Sequence, residues 1–345
     1  MIKGPNWKKI VSVRPFNYQM ADKLCKLELK FYPLGVIDMS DQVKPNDACS
    51  WQPKKTTDSP FSKKFSTGEL PIETNRYRLI WGRFCPWATP IATMIDYTGL
   101  DQVISKGAIY SLRHAGVNDN WFFGKGDQKD PVLQTTSLRE NFEKVDPSFT
   151  DRPTVPALVD VKTGKVVNNS SQEIMNELAS SWQPYFKEGV ADVLPASERT
   201  PILTLTSQII TDITSIPGQI AAVKSQSEYK KLANQYFDRL QWLDDRLAQR
   251  QFLMGDNLTV PDFWLVVSLI RFDTVFYFQS KLNQKQLTDF PNLWRYAKTC
   301  YQIPAFKQDT DFQAIKEHFY QVSDDPVDSL SRIIPLGPDE SKWDE

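Results

Sequence analysis

Cys85 is the residue of this 345-residue chain whose surroundings are best suited to chemistry. It follows a predicted short strand, RLIW (78–81), and opens a predicted helix that begins with CPWA and runs to Gly99. At a helix N-terminus, unpaired backbone N–H groups and the helix dipole favour the thiolate, which is the reactive form of cysteine. Because Arg83 adds a positive charge nearby, we expect Cys85 to be a nucleophile with a lowered pKa. A buried, inert cysteine is the alternative.

The spacing of the cysteines determines how such a nucleophile would turn over. The four cysteines stand at 25, 49, 85 and 300, and Ala88 occupies the position at which a dithiol oxidoreductase has its second cysteine. A mixed disulfide on Cys85 must therefore be resolved by an external thiol. We expect Cys25, Cys49 and Cys300 to be structural.

Other reaction classes find little support in the sequence. The chain has two histidines, His114 and His318, and no HExxH, GxSxG or GxxxxGK[ST] motif, so we expect both histidines to be structural and no metal to be bound. A net charge of −1 disfavours nucleic acid as a partner. Since no apolar run reaches the length of a membrane span and no signal core opens the chain, we expect no membrane association and a cytoplasmic location.

A proline in the segment TVPALV (154–159) supports the assignment of Cys85. Pro156 stands within a predicted strand, where proline is normally excluded because it has no N–H to donate. In a cis conformation it would frame the cysteine site and let the backbone of Val155 pair with an extended thiol peptide. A trans proline on an edge strand is the alternative.

The elements around these residues follow the order strand, helix, strand, then strand, hairpin, strand, helix. The second strand is predicted near 103–110, and the hairpin turns at KTGK (162–165). Ser170, with Glu173 three residues later, predicts a capping box at the start of the closing helix. This layout is typical of a thioredoxin-like α/β domain with a parallel half and an antiparallel half.

After about residue 200 the apolar spacing becomes helical. One stripe of core positions consists of Leu232, Tyr236, Leu240, Leu243 and Leu247. A further helix is predicted to begin at Thr259, with Asp262 completing a capping box and Pro261 in the first turn. Leu258 and Phe263 are placed to form a hydrophobic staple. The apolar run that follows predicts the buried centre of an all-helical domain.

Two folded domains and two ends make up the predicted organisation. Residues 1–75 are rich in proline and lysine and form an N-terminal extension. The thioredoxin-like α/β domain spans 76–182 and the all-α helical domain spans 200–320. Residues 321–345 form a C-terminal tail, and we expect both ends to be solvated.

The sequence resembles the glutathione transferase superfamily, and specifically its Xi class, the glutathionyl-hydroquinone reductases. The resemblance runs in consistent order from about residue 61 to residue 338, through the segments RYRLIWGRFCPWA, DNWFF, TVPALVDVKTGKVVNNSSQEI, RFDTV, FPNLW, YQIP, IKEHFY and IIPLGP. It implies a glutathione-binding N-terminal domain, a helical C-terminal domain and a homodimer.

The resemblance also implies a reaction and a set of site residues. Cys85 would attack the thioether sulfur of a glutathionyl-hydroquinone, release the hydroquinone and keep glutathione as a mixed disulfide, which a second glutathione resolves. Trp121 would pack over glutathione, and Val155, beside Pro156, would pair with its cysteinyl backbone. Ser171 would hold the γ-glutamyl carboxylate at a helix N-terminus.

Departures from the family pattern bear on the same site. Where the family usually has CPWAHR, this chain has CPWATP, so an arginine is missing, Pro90 stands in the second turn of the predicted helix and we expect weaker charge stabilisation of the thiolate. Ser170, a glutathione-binding position beside Ser171, replaces an acidic residue that would meet the amine of glutathione. The substrate pocket is expected at Phe276, where the family has a tyrosine, and at Tyr277. Since neighbours on a helix point in different directions, Tyr277 can supply the missing hydroxyl only if the helix is locally rotated.

Three functions are compatible with these residues. The leading one is an enzyme that uses glutathione as co-substrate and acts on a small aromatic or quinone-derived substrate. The second keeps the fold and Cys85 but transfers thiols to disulfides or dehydroascorbate, as Omega-class enzymes do. The third is a binding or scaffold protein with little activity: the missing arginine, acid and tyrosines favour it, whereas Cys85, Trp121 and Pro156 favour an enzyme.

Overall fold

The computed structural model describes residues 59–114, 117, 119–323 and 333–345, so that Cys25 and Cys49 lie outside the described residues. Its first half builds a four-stranded sheet. The strands are β1 (Tyr77–Trp81), β2 (Ile104–Ala108), β3 (Ala157–Asp160) and β4 (Lys165–Asn168). The order is β2-β1-β3-β4, with β1 parallel to β2 and antiparallel to β3, and β4 antiparallel to β3. All five residues of β1 are buried, as a central strand covered on both faces requires.

Three helices complete this first domain, which is thioredoxin-like as the sequence predicts. They are α1 (Thr89–Thr98), α2 (Leu138–Glu143) and α3 (Ser171–Ser181). α1 ends at Gly99, as predicted, and this residue has φ 80°, in the left-handed region that glycine adopts without steric cost.

The second domain is all-helical, which confirms the predicted fold class. Its helices are α4 (Arg199–Ile209), α5 (Ile216–Ala222), α6 (Gln226–Leu247), α7 (Val260–Arg271), α8 (Tyr277–Gln279), α9 (Pro291–Tyr301), α10 (Pro304–Asp309) and α11 (Phe312–Lys316). One-turn π-helices follow three of them, at Ile210–Thr214, Phe272–Phe276 and Glu317–Gln321. Every residue of α7 is buried, so this helix is the centre of the domain. No helix among the described residues has both the length and the apolar character needed to cross a membrane.

The start of α7 forms the predicted capping box. Asp262 Oδ2 accepts hydrogen bonds from Thr259 N at 2.8 Å and from Thr259 Oγ1 at 2.9 Å. The other carboxylate oxygen accepts from Leu253 N at 3.0 Å and from the hydroxyl of Tyr296, on α9, at 2.8 Å. One buried carboxylate therefore caps α7 and attaches it to a neighbouring helix.

A buried ion cluster and aromatic contacts join the two domains. Lys106 of β2 lies 2.9 Å from Asp309 of α10 and 2.7 Å from Asp96 of α1. The rings of Tyr97 and Phe263 lie 5.6 Å apart, edge to face. The contacts hold α1 against α7 and α10, and the loop that precedes α1 lies beside the same helices.

The last part of the predicted N-terminal extension packs into the core of the protein, whereas the sequence led us to expect a solvated segment. Phe61, Phe65 and Leu70 are buried in the core. The backbone N–H of Phe65 donates to Glu177 Oε2, on α3, at 2.8 Å. These apolar residues are interspersed with lysine and serine, so their periodicity is weak in the sequence although each one finds a place in the core.

The end of the predicted C-terminal tail is packed as well. Trp343 is buried, with its ring 5.0 Å from that of Trp294 and 5.4 Å from that of Tyr301. Gln302 Nε2 donates to the carbonyl oxygen of Trp343 at 2.7 Å. A single large aromatic side chain in an acidic segment thus anchors the chain end to α9.

Candidate active site around Cys85

Cys85 lies in the loop between β1 and α1, one turn before the helix. The sequence places the helix start at CPWA, whereas α1 begins at Thr89. The loop already bends as a helical turn, because Thr89 N donates to the Cys85 carbonyl oxygen at 3.0 Å and Thr89 Oγ1 donates to it at 2.8 Å. With this later start, Pro90 falls in the first turn instead of the second, where its missing N–H costs little.

The sulfur of Cys85 faces the backbone that precedes Pro156. The Val155–Pro156 peptide bond is cis, as expected, and the trans alternative is excluded. Pro156 comes just before β3 and not within it, so no ladder hydrogen bond is lost. Cys85 Sγ lies 3.8 Å from the Val155 carbonyl oxygen. The structure therefore brings together three of the predicted site residues.

The start of α3 lies next to the same backbone. Asn169 Nδ2 donates to Thr154 Oγ1, one residue before Val155, at 3.2 Å. Ser170 is the N-cap of α3, its hydroxyl accepting from Glu173 N at 3.5 Å, and Ser171 is the first helical residue. Ser171 thus belongs to the turn whose backbone N–H groups are available to an anion.

The predicted capping box at this helix is only half formed. The carboxylate of Glu173 accepts a hydrogen bond from Asn168 Nδ2 at 3.2 Å and lies 3.3 Å from Lys64 Nζ. The backbone N–H of Ser170 donates instead to Asn168 Oδ1 at 2.8 Å. The reciprocal bond of the box is therefore replaced by an asparagine of β4 that the sequence pattern did not indicate.

Trp121 belongs to a group of stacked rings beside the cysteine loop. Its ring lies 5.3 Å from that of Phe84, the residue before Cys85. The imidazole of His318 stacks on the ring of Phe84 at 3.8 Å and lies 5.6 Å from the ring of Trp121. The guanidinium of Arg113 lies 5.0 Å from the centre of the Trp121 ring. His318 and Arg113 were not indicated as site residues by the sequence.

His318 is buried and electrically neutral at physiological pH. Burial, together with the positive charges of Arg113, Arg152 and Arg271, lowers its pKa to about 3. The Nδ1 atom lies 3.3 Å from the Ser111 carbonyl oxygen. Since burial is the largest cause, the low pKa reflects mainly the apolar surroundings of the ring that stacks on Phe84.

The predicted substrate pocket is connected to these rings through Phe319. The ring of Phe319 lies 5.1 Å from that of His318 and 6.1 Å from that of Phe276, and Phe276 is buried. The π-helical turn Phe272–Phe276 holds one residue more than an α-helical turn. Phe276, and not Tyr277, faces Phe319, while the ring of the half-buried Tyr277 lies 5.1 Å from that of the exposed Phe278.

Positive charge reaches the cysteine loop from the helical domain. Arg83, expected to supply it, donates to the carbonyl oxygen of Gln308 at 3.0 Å. Arg271, at the end of α7, donates instead to the loop, at 3.0 Å to the Phe84 carbonyl oxygen. Its signal in the sequence is a charged residue at the end of an otherwise apolar helix.

The remaining thiol and imidazole among the described residues have structural surroundings. Burial raises the pKa of Cys300 well above its ordinary value, which disfavours its thiolate. His114 Nε2 lies 2.8 Å from the Gly124 carbonyl oxygen, and its ring stacks on Phe122 at 3.9 Å. Among the described residues, no group of three or more His, Cys, Asp or Glu side chains is arranged to hold a metal ion.

Two proteins of known name are similar in sequence to most of this chain. The glutathionyl-hydroquinone reductase PcpF of Sphingobium chlorophenolicum is 28% identical over 298 residues, which covers 84% of this chain and 93% of PcpF. The glutathione S-transferase omega-like 2 of Schizosaccharomyces pombe is 31% identical over 275 residues, 77% of this chain and 86% of the relative. Residues 226–299 match the family described as "Glutathione S-transferase, C-terminal domain".

Solved structures show the same architecture. The Xi glutathione S-transferase of Phanerochaete chrysosporium superposes with a TM-score of 0.74 at 27% identity, covering 83% of this chain and 98% of that one. The glutathione-bound structure of YqjG, a glutathione transferase homologue from Escherichia coli K-12, gives a TM-score of 0.69 at 28% identity, covering 77% and 85%.

Fold and site together define a class of protein. A thioredoxin-like domain carries a cysteine one turn before α1 and opposite a cis-proline, and an all-helical domain follows it. The chain belongs to the glutathione transferase superfamily, and the solved structures that it resembles include Xi-class members.

Proposed function

We propose that this protein is a glutathione-dependent, cysteine-type reductase that removes glutathione from glutathionyl-hydroquinones, with Cys85 as the nucleophile. The observation that carries the proposal is the approach of Cys85 Sγ to the Val155 carbonyl oxygen, at 3.8 Å, beside a cis-proline. A bound thiol peptide that pairs with the backbone of Val155 would place its sulfur next to that of Cys85. The 28% identity to a glutathionyl-hydroquinone reductase supports this choice of substrate.

The reaction balances with glutathione as the only co-substrate. The Cys85 thiolate attacks the sulfur of the conjugate, a sulfur–sulfur bond forms, and the bond between that sulfur and the aromatic carbon breaks. The electron pair goes to the aromatic carbon, which takes a proton and leaves as the hydroquinone. A second glutathione attacks the mixed disulfide and leaves as glutathione disulfide, which regenerates Cys85. The aromatic carbon is reduced by two electrons and two glutathione sulfurs are oxidised.

Three groups support glutathione binding. The start of α3, with Ser170 as the N-cap and Ser171 as the first helical residue, offers the backbone N–H groups of its first turn to the γ-glutamyl carboxylate, although the N–H of Ser170 itself is bonded to Asn168. Trp121, whose ring lies 5.3 Å from that of Phe84, is the proposed aromatic contact, and Val155 offers its backbone. Glutathione is present in the YqjG structure, whose fold this chain shares.

Phe276 and Tyr277 are the proposed contacts of the hydroquinone. The rings of Phe84, His318, Phe319 and Phe276 follow one another from the cysteine loop to this position. An aromatic substrate would lie against this apolar wall, and the hydroxyl of Tyr277 would hydrogen-bond to its phenolic oxygen as charge develops there.

The identity of 31% to an omega-like protein supports a second candidate, thiol transfer to disulfides or dehydroascorbate. The same cysteine would serve, and only the acceptor would change.

We also propose that the protein acts as a homodimer in the cytoplasm, where small thiols are kept reduced.

Steady-state assays of the purified chain distinguish these functions. With glutathione present, we expect hydroquinone to be released from a glutathionyl-hydroquinone by the wild type and by Cys300→Ser, and not by Cys85→Ser. Turnover of hydroxyethyl disulfide or dehydroascorbate without hydroquinone release would support the Omega-like function and contradict the leading one. Binding of glutathione without turnover of any of these substrates would indicate a scaffold protein.

A further inference from the structure

Arg271 connects the centre of the helical domain to the loop that carries Cys85. It is the last residue of α7, and only 1% of it is exposed. Its Nη1 donates within its own helix, to the Val267 carbonyl oxygen at 2.9 Å. Three further hydrogen bonds leave the helix and reach the loop between β1 and α1 and the first residue of α1, with Phe84 lying 187 residues earlier in the sequence.

The acceptors of those hydrogen bonds are two carbonyl oxygens before the cysteine and one hydroxyl after it. Nε donates to the Phe84 carbonyl oxygen at 3.0 Å, and Nη2 donates to the Arg83 carbonyl oxygen at 2.9 Å. Nη2 also donates to Thr89 Oγ1 at 3.0 Å, and this hydroxyl donates to the Cys85 carbonyl oxygen at 2.8 Å.

The pattern matters because a peptide group is planar. The Phe84 carbonyl and the Cys85 N–H belong to one peptide plane, and the Cys85 carbonyl belongs to the next. Arg271 fixes the first plane directly, while the Cys85 N–H bonds to the Gly82 carbonyl oxygen at 2.9 Å. The guanidinium fixes the second plane through the hydroxyl of Thr89. With both planes fixed, the direction of the Cα–Cβ bond of Cys85 is fixed as well, and only rotation about χ1 remains.

We infer that Arg271 is a positioning residue for Cys85: it holds both peptide planes that flank the cysteine, the second one through Thr89, and so aims the sulfur at the backbone of Val155. The inference rests on the proposed function only in taking Cys85 as the reacting sulfur. A planar fork of N–H donors is required for this, since a lysine ammonium cannot reach two carbonyl oxygens and a hydroxyl in fixed directions.

Two kinds of variant separate positioning from charge and from stability. Arg271→Lys keeps the positive charge and loses the fork. Thr89→Val loses only the hydroxyl that relays the contact, and Thr89→Ser keeps it. Lys106→Met is the matched control, because it removes the polar contact between the domains with Asp309, together with the contact with Asp96 on α1, and neither contact involves the cysteine loop.

The first measurement is the rate at which Cys85 reacts with 4,4′-dithiodipyridine, followed by release of thiopyridone and assigned to Cys85 by peptide mass mapping. Misplacement of a reacting group by about 1 Å can cost about 100-fold, so we expect a loss of that order in Arg271→Lys. We expect a loss of about tenfold in Thr89→Val, which is the scale of one hydrogen bond. Thr89→Ser should retain most of the rate, and Lys106→Met should stay within about twofold of the wild type, because distant sites act independently.

The second measurement is the split between kcat and KM in the reductase assay. Positioning predicts a fall in kcat for Arg271→Lys and Thr89→Val, with the KM for glutathione unchanged. Wild-type rates of Cys85 modification in Thr89→Val, or an equal loss in Lys106→Met, would overturn the inference even if Arg271→Lys fails to fold. If the wild type shows no reductase activity but the modification rates follow the expected order, the proposed function fails and the inference stands.

Discussion

His318 makes a prediction that can be worked out in numbers from the structure. Its imidazole is fully buried between Phe84 and Phe319, and burial lowers its pKa from 6.5 to about 3. A base whose pKa is lowered by folding is protonated first in the unfolded chain. The free energy of unfolding must therefore fall as the pH drops below 6.5, by about 1.4 kcal/mol per pH unit until about pH 3. Between pH 7 and pH 5 this amounts to about 2 kcal/mol.

The variant His318→Phe isolates this contribution. Phenylalanine keeps a ring against Phe84, and the loss of the contact with the Ser111 carbonyl oxygen is the same at both pH values. Asp273 and Asp309, whose pKa values burial raises to about 6, change stability in the opposite direction over this range. They are present in both proteins, so they cancel when the wild type is compared with the variant.

The assay is urea-induced unfolding of both proteins at pH 7 and at pH 5, with the difference in unfolding free energy taken at each pH. We expect the wild type to lose about 2 kcal/mol relative to His318→Phe on going from pH 7 to pH 5. An equal difference at the two pH values would refute the reasoning, since it would mean that the imidazole can be protonated in the folded protein without cost.

Two further predictions concern one stability residue and the substrate pocket. Thr259→Ala removes a cap and should lower the free energy of unfolding by about 0.5 to 2 kcal/mol, while the activity per folded molecule stays the same; a loss of specific activity in fully folded protein would contradict it. Tyr277→Phe should slow hydroquinone release about tenfold, which is the scale of one hydrogen bond, and Phe276→Tyr should raise it if a hydroxyl is accepted there. If hydroquinone release is rapid in the wild type and unchanged in both variants, the placement of the aromatic pocket is wrong.

Features that depend on neighbouring residues in the chain could be predicted from the sequence. The start of α7 is an example, because the cap at Thr259 and the carboxylate of Asp262 are three residues apart and need no information about the rest of the fold. The glycine that ends α1 is another. The order of strands and helices followed from periodicity, and the cis-proline was expected from a proline in a predicted strand, although Pro156 in fact precedes β3.

Features that join distant parts of the chain could not be predicted in this way. Arg271 meets the cysteine loop across 187 residues, and His318 meets Phe84 across an even longer interval. The contacts that place these two side chains beside the cysteine loop come from residues far away in the sequence, which local spacing does not reveal. The start of α1 was misplaced for a local reason, because the turn after Cys85 has helix-like hydrogen bonds although the regular helix begins at Thr89.

The π-helical turn at Phe272–Phe276 lies between these two cases. The family resemblance implies a tyrosine at the position of Phe276, and this chain has its tyrosine in the next position. The turn holds one residue more than an α-helical turn, and no periodicity argument over so short a segment could detect this. The same turn is held by a hydrogen bond from the Tyr320 hydroxyl to the Thr274 carbonyl oxygen at 3.0 Å.

The most direct test of the account is the covalent state of Cys85 during a single turnover. The protein is mixed with one equivalent of a glutathionyl-hydroquinone in the absence of added glutathione, quenched with acid, and analysed by intact mass and by peptide mapping. The account predicts that one equivalent of hydroquinone is released and that one glutathionyl group is found on Cys85, which added glutathione then removes. Release of hydroquinone with no glutathionyl group on Cys85, or with the group on another cysteine, would contradict it.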